Sequence, residues 1–429
     1  MNTQSMLGFD RNVDEVERDF GGLLHTVPNN LTCYATHGFH YYPAKFIPQF
    51  PGFFIQRFSE KGDLVVDPMC GAGTTLIEAA LSGRRFFGCD IDPIAALISR
   101  VATTSFAGYG TRGDFERGVK SLLLKVWKEL KSERLKKIVI PTEKEFPNVL
   151  LWFREEVLRE LILIRDIVLE EGESGLRDFG LLSLSSIIRE VSNADPRDIF
   201  PQRDINNPVR DRKNTLKEFE NSVWEKFEKV VSFSQRVKNK RLGEIKCADA
   251  REIGLEDGIA QLVFTSPPYA YAVDYARVQQ LSTLLLCMRN EEFKEYRRKY
   301  VGTDRVSTRT ELDSYEGIEF AQKEVKKVLD TDRKCGLVLY QYFKDMYLIT
   351  QECHRILMAD GYLIYVVGNS TIRRTTFQTN EVFKKICESV GFEIERVFER
   401  PYYIYRMSRK RNAHSNTVKS DFFIVAKKR

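Results

Sequence analysis

The sequence predicts an α/β protein with a mostly parallel sheet and helices on both of its faces. An apolar run at 64–66 leads through a glycine-containing turn into an apolar helical pattern, and a second apolar run at 85–89 ends in Asp90. Farther along, an amphipathic pattern at 343–358 is followed by Asp-Gly and by the apolar run 362–367. Strands that alternate with helices in this way are typical of parallel sheets.

Composition limits the class of protein. The chain has 429 residues, more than one ordinary domain, and its 43% hydrophobic and 29% charged residues are typical of a soluble globular protein. It contains no apolar run that could span a bilayer and no secretory pattern at its start, so we expect a cytoplasmic protein without a membrane partner. Its eight cysteines form no CxxC pair, which predicts a reducing compartment and no metal site. The net charge of +6 permits a nucleic-acid partner without requiring one.

Further elements are predicted along the chain. Apolar residues at 47–58 share one helical face, and long charged-apolar helical patterns fill the segment from about 108 to 240. A strand resumes near 243–250. After residue 275 we expect helices at 278–288, 343–358 and 379–390 and strands at 362–367, 393–398 and 422–426.

The turn after the first strand reads DPMCGAGTT from Asp67 to Thr75. Gly71 and Gly73 allow a tight turn and a close approach of the backbone to a ligand, and the following helix directs its N–H groups toward that ligand. The turn lacks the GKS or GKT ending of a phosphate-binding loop, which argues against an NTPase. Asp90, about 20 residues farther on, is placed to accept hydrogen bonds from ribose hydroxyls. Asp92, by contrast, is a candidate cap of the helix that follows.

A rigid elbow is predicted at TSPPY, after the buried run 262–264. Pro267 and Pro268 cannot extend the strand, because proline has no backbone N–H and disfavours helix in the residue before it. Ser266 and Tyr269 flank the two prolines at the carboxyl end of the strand, the edge at which α/β sheets bind ligands. An ordinary Pro-Pro turn gives the same five letters, so the motif needs support from the rest of the chain.

These stretches together resemble the DNA amino methyltransferases that use S-adenosylmethionine. The glycine turn matches the cofactor loop D-P-x-x-G-x-G-T-T, TSPPY matches the catalytic motif, and the two fall in the order that the fold requires. The resemblance covers about 31–107 and 243–275, with weaker support from 340–429. It implies a class I (Rossmann-like) methyltransferase sheet with a large helical insertion.

The resemblance also implies roles for individual residues. The expected cofactor-binding residues are Phe46, Asp67, Pro68, Gly71, Gly73, Thr74, Asp90 and Asp249, and the expected catalytic residues are Ser266, Pro267, Pro268 and Tyr269. Ser266 and the Pro267 carbonyl would accept the two amine hydrogens of a base, and Tyr269 would stack on that base after its extrusion from the helix. No metal is expected.

Serine at the first elbow position is typical of the cytosine-N4 enzymes of the resembled family, and aspartate of the adenine-N6 enzymes. No Pro-Cys dipeptide occurs, so the covalent route of cytosine-C5 enzymes is not expected. The sequence therefore favours methyl transfer to cytosine N4 in double-stranded DNA. An adenine-N6 enzyme, an RNA amine methyltransferase and a nucleic-acid-binding protein without catalysis stay open as alternatives.

We predict three parts of the chain. Residues 1–107 form an N-terminal arm and the first half of the methyltransferase domain, 108–240 a helical insertion, and 241–429 the second half. The insertion, the polar segment 289–331 and the aromatic-basic segment 399–421 are each candidates for target recognition. The resemblance also suggests a nucleoid-associated prokaryotic enzyme, with a cognate restriction endonuclease as a candidate partner.

Overall fold

The computed structural model describes residues 32–43, 45–106, 110–195, 198–203, 213–238, 242–270, 273–289, 291–306, 318–372, 375–401 and 420–429. The predicted N-terminal arm before residue 31 and most of the candidate segment 399–421 therefore lie outside the described residues.

Most of the strands form one seven-stranded sheet across the described chain, in the order β3-β2-β1-β4-β5-β9-β8. Neighbours from β3 to β5 are parallel, whereas β9 runs antiparallel to both β5 and β8. β6 and β7 pair separately as a small hairpin. The strands are β1 Leu64–Asp67, β2 Arg85–Asp90, β3 Gly243–Cys247, β4 Ala260–Thr265, β5 Leu357–Gly368, β6 Ser370–Ile372, β7 Thr375–Phe377, β8 Phe392–Pro401 and β9 Ser420–Lys428.

The helices lie on both faces of this sheet. They are α1 Gln49–Phe58, α2 Thr74–Leu81, α3 Pro93–Thr103, α4 Arg112–Glu129, α5 Val149–Trp152, α6 Glu155–Leu169, α7 Ser174–Ile188, α8 Thr215–Arg236, α9 Tyr275–Val278, α10 Gln280–Leu285, α11 Phe293–Arg298, α12 Gln322–Leu329, α13 Arg333–Ile356 and α14 Thr379–Val390. The architecture confirms the predicted class I methyltransferase fold.

Alternating strand residues enter two separate hydrophobic cores. Val65 and Leu262 pack into the core that includes α1 to α3 and the inserted helices, whereas Val66 and Val263 pack into the core beneath α12 to α14. All four side chains are fully buried. Because successive side chains of a strand point to opposite faces, both faces of the central strands must be apolar, as these runs are.

Two predicted helices differ from the structure in their bounds. The helix expected at 278–288 is two short helices, α9 and α10, which meet at Gln279 and end before Cys287, whose φ is +53°. The helix expected at 343–358 begins ten residues earlier, because the Asp332 side chain accepts a hydrogen bond from the Cys335 amide and caps α13 there. Local apolar periodicity did not indicate either boundary.

Helices α4 to α8 are inserted between α3 and β3, and they contact the part of the chain that follows the elbow. The Ser185 hydroxyl on α7 donates a hydrogen bond to Ser282 on α10 at 3.0 Å, and the same hydroxyl lies 3.0 Å from His40 Nε2. Two turns earlier on α7, Asp178 pairs with Arg100 of α3 at 2.8 Å. The small polar residues of α7 therefore join the insertion to the sheet domain. No helix in the described part of the chain is long and apolar enough to cross a membrane.

Candidate active site

The glycine turn and the elbow lie at the same edge of the sheet. β1 and β4 are adjacent and parallel, with Val66 opposite Val263. Because both strands end at this edge, the turn that follows β1 and the TSPPY segment that follows β4 are neighbours. The Thr75 hydroxyl, at the start of α2, approaches the Phe264 carbonyl of β4 to 3.5 Å.

Close packing fixes the two glycines of the turn. Both have positive φ, +50° at Gly71 and +77° at Gly73, a conformation that residues with a side chain rarely adopt. A Cβ at Gly71 would lie 2.9 Å from the Tyr42 ring, and one at Gly73 would lie 2.9 Å from the Ser99 hydroxyl. The Ser99 hydroxyl in turn donates to the Gly71 carbonyl at 2.9 Å. The turn is therefore held between Tyr42 and α3.

Asp67 supports the turn from behind. Its carboxylate accepts hydrogen bonds from the Thr75 hydroxyl at 2.7 Å and from the Met69 amide at 3.2 Å, and it is only 1% exposed. Burial raises the pKa of Asp67 to about 6, although these hydrogen bonds lower it. The carboxylate thus contacts the turn itself and does not line the cleft in front of it.

Asp90 faces the cleft. Its two oxygens accept hydrogen bonds from the Gly71 amide at 2.8 Å and from the Asp92 amide at 2.9 Å. Burial raises the pKa of Asp90 to about 6, against these two hydrogen bonds. Asp92 caps α3 through the amides of Ile94 and Ala95, which is the structural alternative expected for it. The two neighbouring acids therefore have different positions, and only Asp90 reaches the cleft.

A single cleft of about 940 Å³, partly open to solvent, runs between the turn and the elbow. Of the residues predicted from the sequence, it is lined by Phe46, Pro68, Gly71, Thr74, Asp90, Asp249, Ser266 and Pro268. The predicted residues that do not line it are Asp67, Gly73, Pro267 and Tyr269. The structure therefore gathers most of the predicted cofactor residues and the first part of the elbow around one space.

Asp249 lines the cleft two residues beyond the end of β3, and Arg251 holds it in place. Arg251 donates to Asp249 Oδ1 from Nε at 2.9 Å and to Oδ2 from Nη2 at 2.6 Å. The same guanidinium pairs with the buried Asp345 of α13 at 2.8 Å and donates to the Lys299 carbonyl at 3.1 Å. Burial opposes ionisation of Asp249, but the Arg251 hydrogen bonds lower its pKa. Arg251 thus links an acid of the cleft to two other segments.

Fixed hydrogen bonds position the elbow. The Ser266 hydroxyl donates to the Val366 carbonyl of β5 at 3.2 Å, which leaves its lone pairs as acceptors. The Tyr269 hydroxyl donates to Asp421 of β9 at 3.0 Å, and Asp421 is 5% exposed. Both side chains of the elbow are thereby tied to strands on the far side of β4.

Three tyrosines that the sequence interpretation did not single out also line the cleft. Tyr42 stacks on Tyr275, with 5.7 Å between ring centroids, and Tyr300 comes from the segment 291–306. Burial raises the pKa of Tyr275 to about 12, so its ring is a neutral phenol near pH 7. The aromatic runs FHYYP and YAYAVDY were visible signals, but nothing local shows that they meet across the cleft.

Comparison with known proteins supports one family. Residues 19–100, which include Phe46, the glycine turn and Asp90, match the N6/N4 methyltransferase family model, described as DNA methylase. The match and the relatives below support a DNA methylase of the N4/N6 type. The match confirms the expected family and, with it, S-adenosylmethionine as the cofactor.

Relatives of the methylase extend over most of its length. It is 23% identical to the type II methyltransferase M.MvaI of Kocuria varians over 93% of this chain and 92% of that protein. It is 21% identical to the type II methyltransferase M.MjaII of Methanocaldococcus jannaschii over 89% of this chain and 79% of that protein. A crystal structure of a SAM-dependent methyltransferase from Methanosarcina mazei is 10% identical and covers 91% of this chain and 98% of that chain, with a TM-score of 0.31.

The chemistry of the cleft fits the cofactor of this methylase. Asp90 and Asp249 offer carboxylate acceptors for ribose hydroxyls and an adenine amine, and Pro68 and Phe46 supply apolar contacts. Aromatic faces such as that of Tyr42 attract a cation such as a sulfonium. Within the described ranges no group of histidine, cysteine or acidic side chains is arranged to hold a metal ion.

Proposed function

We propose that this methylase transfers a methyl group from S-adenosylmethionine to the exocyclic N4 amine of cytosine at specific sites in double-stranded DNA. The observation that carries the proposal is the place of Ser266: it lines the cleft that also contains Gly71 and Asp90, and its hydroxyl hydrogen is donated to Val366. Because that hydrogen is engaged, the oxygen presents lone pairs to an incoming amine.

The protein residues of the cleft divide into two groups by task. Asp90, Asp249, Gly71, Phe46 and Thr74 would hold the cofactor. When bound, the cofactor supplies an electrophilic methyl group on a sulfonium.

The elbow would hold the base. An amine conjugated to its ring is a weak nucleophile, so its lone pair must be directed at the methyl group and a proton must leave it. Ser266 Oγ and the Pro267 carbonyl accept the amine hydrogens and thereby orient the nitrogen. The Tyr269 ring, fixed through its hydroxyl by Asp421, offers a face for stacking on the extruded base.

Nucleoside analysis tests the choice of base. Unmethylated duplex DNA is incubated with the protein and S-adenosylmethionine, digested, and analysed by mass spectrometry. The proposal predicts N4-methylcytosine, and its absence from the Ser266→Ala reaction. N6-methyladenine would favour the adenine alternative, methylation of RNA alone would favour an RNA enzyme, and DNA binding without any methyl transfer would favour a binding protein.

The helical insertion 108–240 is our first candidate for target recognition, because it contacts both α10 behind the elbow and the segment beside Tyr42. The similarity to two type II methyltransferases also supports a cognate restriction endonuclease as a partner of this chain.

A further inference from the structure

An exposed tyrosine stands beside the wall of the cleft. Tyr41 is 53% exposed, although the next residue, Tyr42, lines the cleft and stacks on Tyr275. The Tyr41 carbonyl accepts a hydrogen bond from the Gln279 side chain at 3.4 Å. Its backbone is therefore attached to the segment that follows the elbow, while its ring faces solvent.

A loop of the helical insertion is fixed in place. Ala194 and Arg203 form an antiparallel bridge, and the Asp195 amide donates to the Gln202 carbonyl at 2.7 Å. These contacts close the base of the loop.

The Arg189 guanidinium fixes the same loop from within. It donates to the carbonyls of Asp195 at 2.8 Å and Ile199 at 3.0 Å, and also to that of Asp198. Ile199 is nevertheless 44% exposed. Residues 198 and 199 are thus held by hydrogen bonds to Arg189, and they leave the apolar side chain of Ile199 in water.

Two arginines join this loop to the cleft. The Arg189 guanidinium lies 5.9 Å from the centre of the Tyr41 ring, and that of Arg277, on α9, lies 4.9 Å from the centre of the Phe200 ring. Arg277 is exposed. We call the five residues Tyr41, Arg189, Ile199, Phe200 and Arg277 the entrance patch.

We propose that the entrance patch contacts duplex DNA beside the target base, and that the Tyr41 ring occupies the gap left in the base stack by the extruded base. This inference rests on the proposed function and deepens it. The patch combines the exposed Arg277 guanidinium, a group that binds phosphates, with the exposed side chains of Tyr41 and Ile199, which stack on or wedge between bases. It adjoins the cleft, as a surface that releases a base into the cleft must. One exposed carboxylate, that of Asp198, lies on the same loop.

The test uses full-length protein and a duplex that carries the sequence methylated by the wild type. Single-turnover methyl transfer and DNA affinity are measured for Tyr41→Ala, Tyr41→Phe and Arg277→Gln. Leu348→Ala and Lys385→Gln are the controls, because Leu348 is 44% exposed, Lys385 is exposed, and both lie on helices, α13 and α14, that contribute nothing to the cleft lining. Each reaction is repeated on a duplex in which the target base is mispaired.

We expect Tyr41→Ala to slow transfer on the matched duplex at least about fivefold, since stacking contributes about 1–3 kcal/mol per base. Transfer should recover on the mispaired duplex, because extrusion then costs less. Tyr41→Phe, which keeps the ring, should behave as wild type, and Arg277→Gln should weaken DNA binding and its salt dependence. The controls should change neither quantity.

Equal transfer by Tyr41→Ala and wild type on both duplexes would overturn the inference. The inference would also be overturned if the variants changed the oligomeric state, measured by sedimentation, and left DNA affinity unchanged. The patch would then be an interface between copies of the chain. If the wild type binds the duplex but transfers no methyl group, the proposed function fails, and the affinities of the variants still decide whether the patch contacts DNA.

Discussion

Gly73→Ala should destabilise the protein in two ways, by a steric clash of the added Cβ with Ser99 and by backbone strain. With φ at +77°, an alanine would adopt the left-handed conformation at a cost of about 1–2 kcal/mol, of which about 0.4–1 kcal/mol is offset by the stiffer unfolded chain. Its Cβ would also lie 2.9 Å from Ser99 Oγ and 3.2 Å from Ser99 Cα, and the backbone atom cannot swing aside. Overpacking of this kind costs about 1–3 kcal/mol. We expect a loss of about 1–5 kcal/mol in the free energy of unfolding.

Gly254→Ala is the matched control. Gly254 has a similar φ, +70°, but no heavy atom lies within 4 Å of the position of its added Cβ. Urea unfolding of both variants, with and without S-adenosylmethionine, separates strain from contact. The difference between them should be about 1–3 kcal/mol.

Gly73→Ala and Gly254→Ala should also differ in their affinity for the cofactor. Displacement of Ser99 would break its hydrogen bond to the Gly71 carbonyl, so only Gly73→Ala should lower affinity for S-adenosylmethionine, by at least tenfold in isothermal titration calorimetry. Equal stability and equal affinity of Gly73→Ala and Gly254→Ala would refute the close packing of the turn against α3.

Further predictions concern single side chains. Arg251→Ala leaves the buried Asp345 without its ion pair, so we expect a loss of about 2–3 kcal/mol in urea unfolding and weaker cofactor binding. Arg298→Ala, which removes a surface pair with Glu295, should cost less than about 1 kcal/mol. Because the pKa of Asp90 is raised to about 6, its folded form holds a proton that the unfolded form has lost. The contribution of Asp90 to the free energy of unfolding should therefore fall as pH rises from about 4 through 6. The affinity for the cofactor should rise over the same pH range, because the Asp90 carboxylate ionises. Asp90→Asn should abolish that pH dependence of affinity in titrations at several pH values. Tyr269→Phe should keep most of the methyl transfer that Tyr269→Ala loses, because the ring remains; equal loss in both would contradict stacking.

Local sequence was sufficient to predict the part of the site that lies at the ends of strands. A buried run followed by a glycine turn or by two prolines fixes where a strand stops, and the order of strands in a parallel sheet then brings those stops to one edge. Gly71, Asp90 and Ser266 were predicted for this reason, and the structure places all three around one cleft.

The parts that were missed depend on contacts between distant segments. Tyr42 meets Tyr275 across more than 230 positions of sequence, and Arg251 reaches Asp345 across 94. Neither pair has a local pattern. The cofactor-binding role expected for Asp67 stays a prediction; the sequence did not indicate that its buried carboxylate accepts a hydrogen bond from Thr75 of the turn, because side-chain orientation does not follow from residue type.

The separate roles of the elbow and the glycine turn are tested most directly by measuring cofactor binding and methyl transfer on one preparation of Ser266→Ala. We expect this variant to bind S-adenosylmethionine with the affinity of the wild type, since Gly71 and Asp90 are untouched, and its methyl transfer to DNA to fall below detection. Wild-type transfer by Ser266→Ala, or loss of cofactor binding together with transfer, would contradict the assignment of the elbow to the base and of the glycine turn to the cofactor.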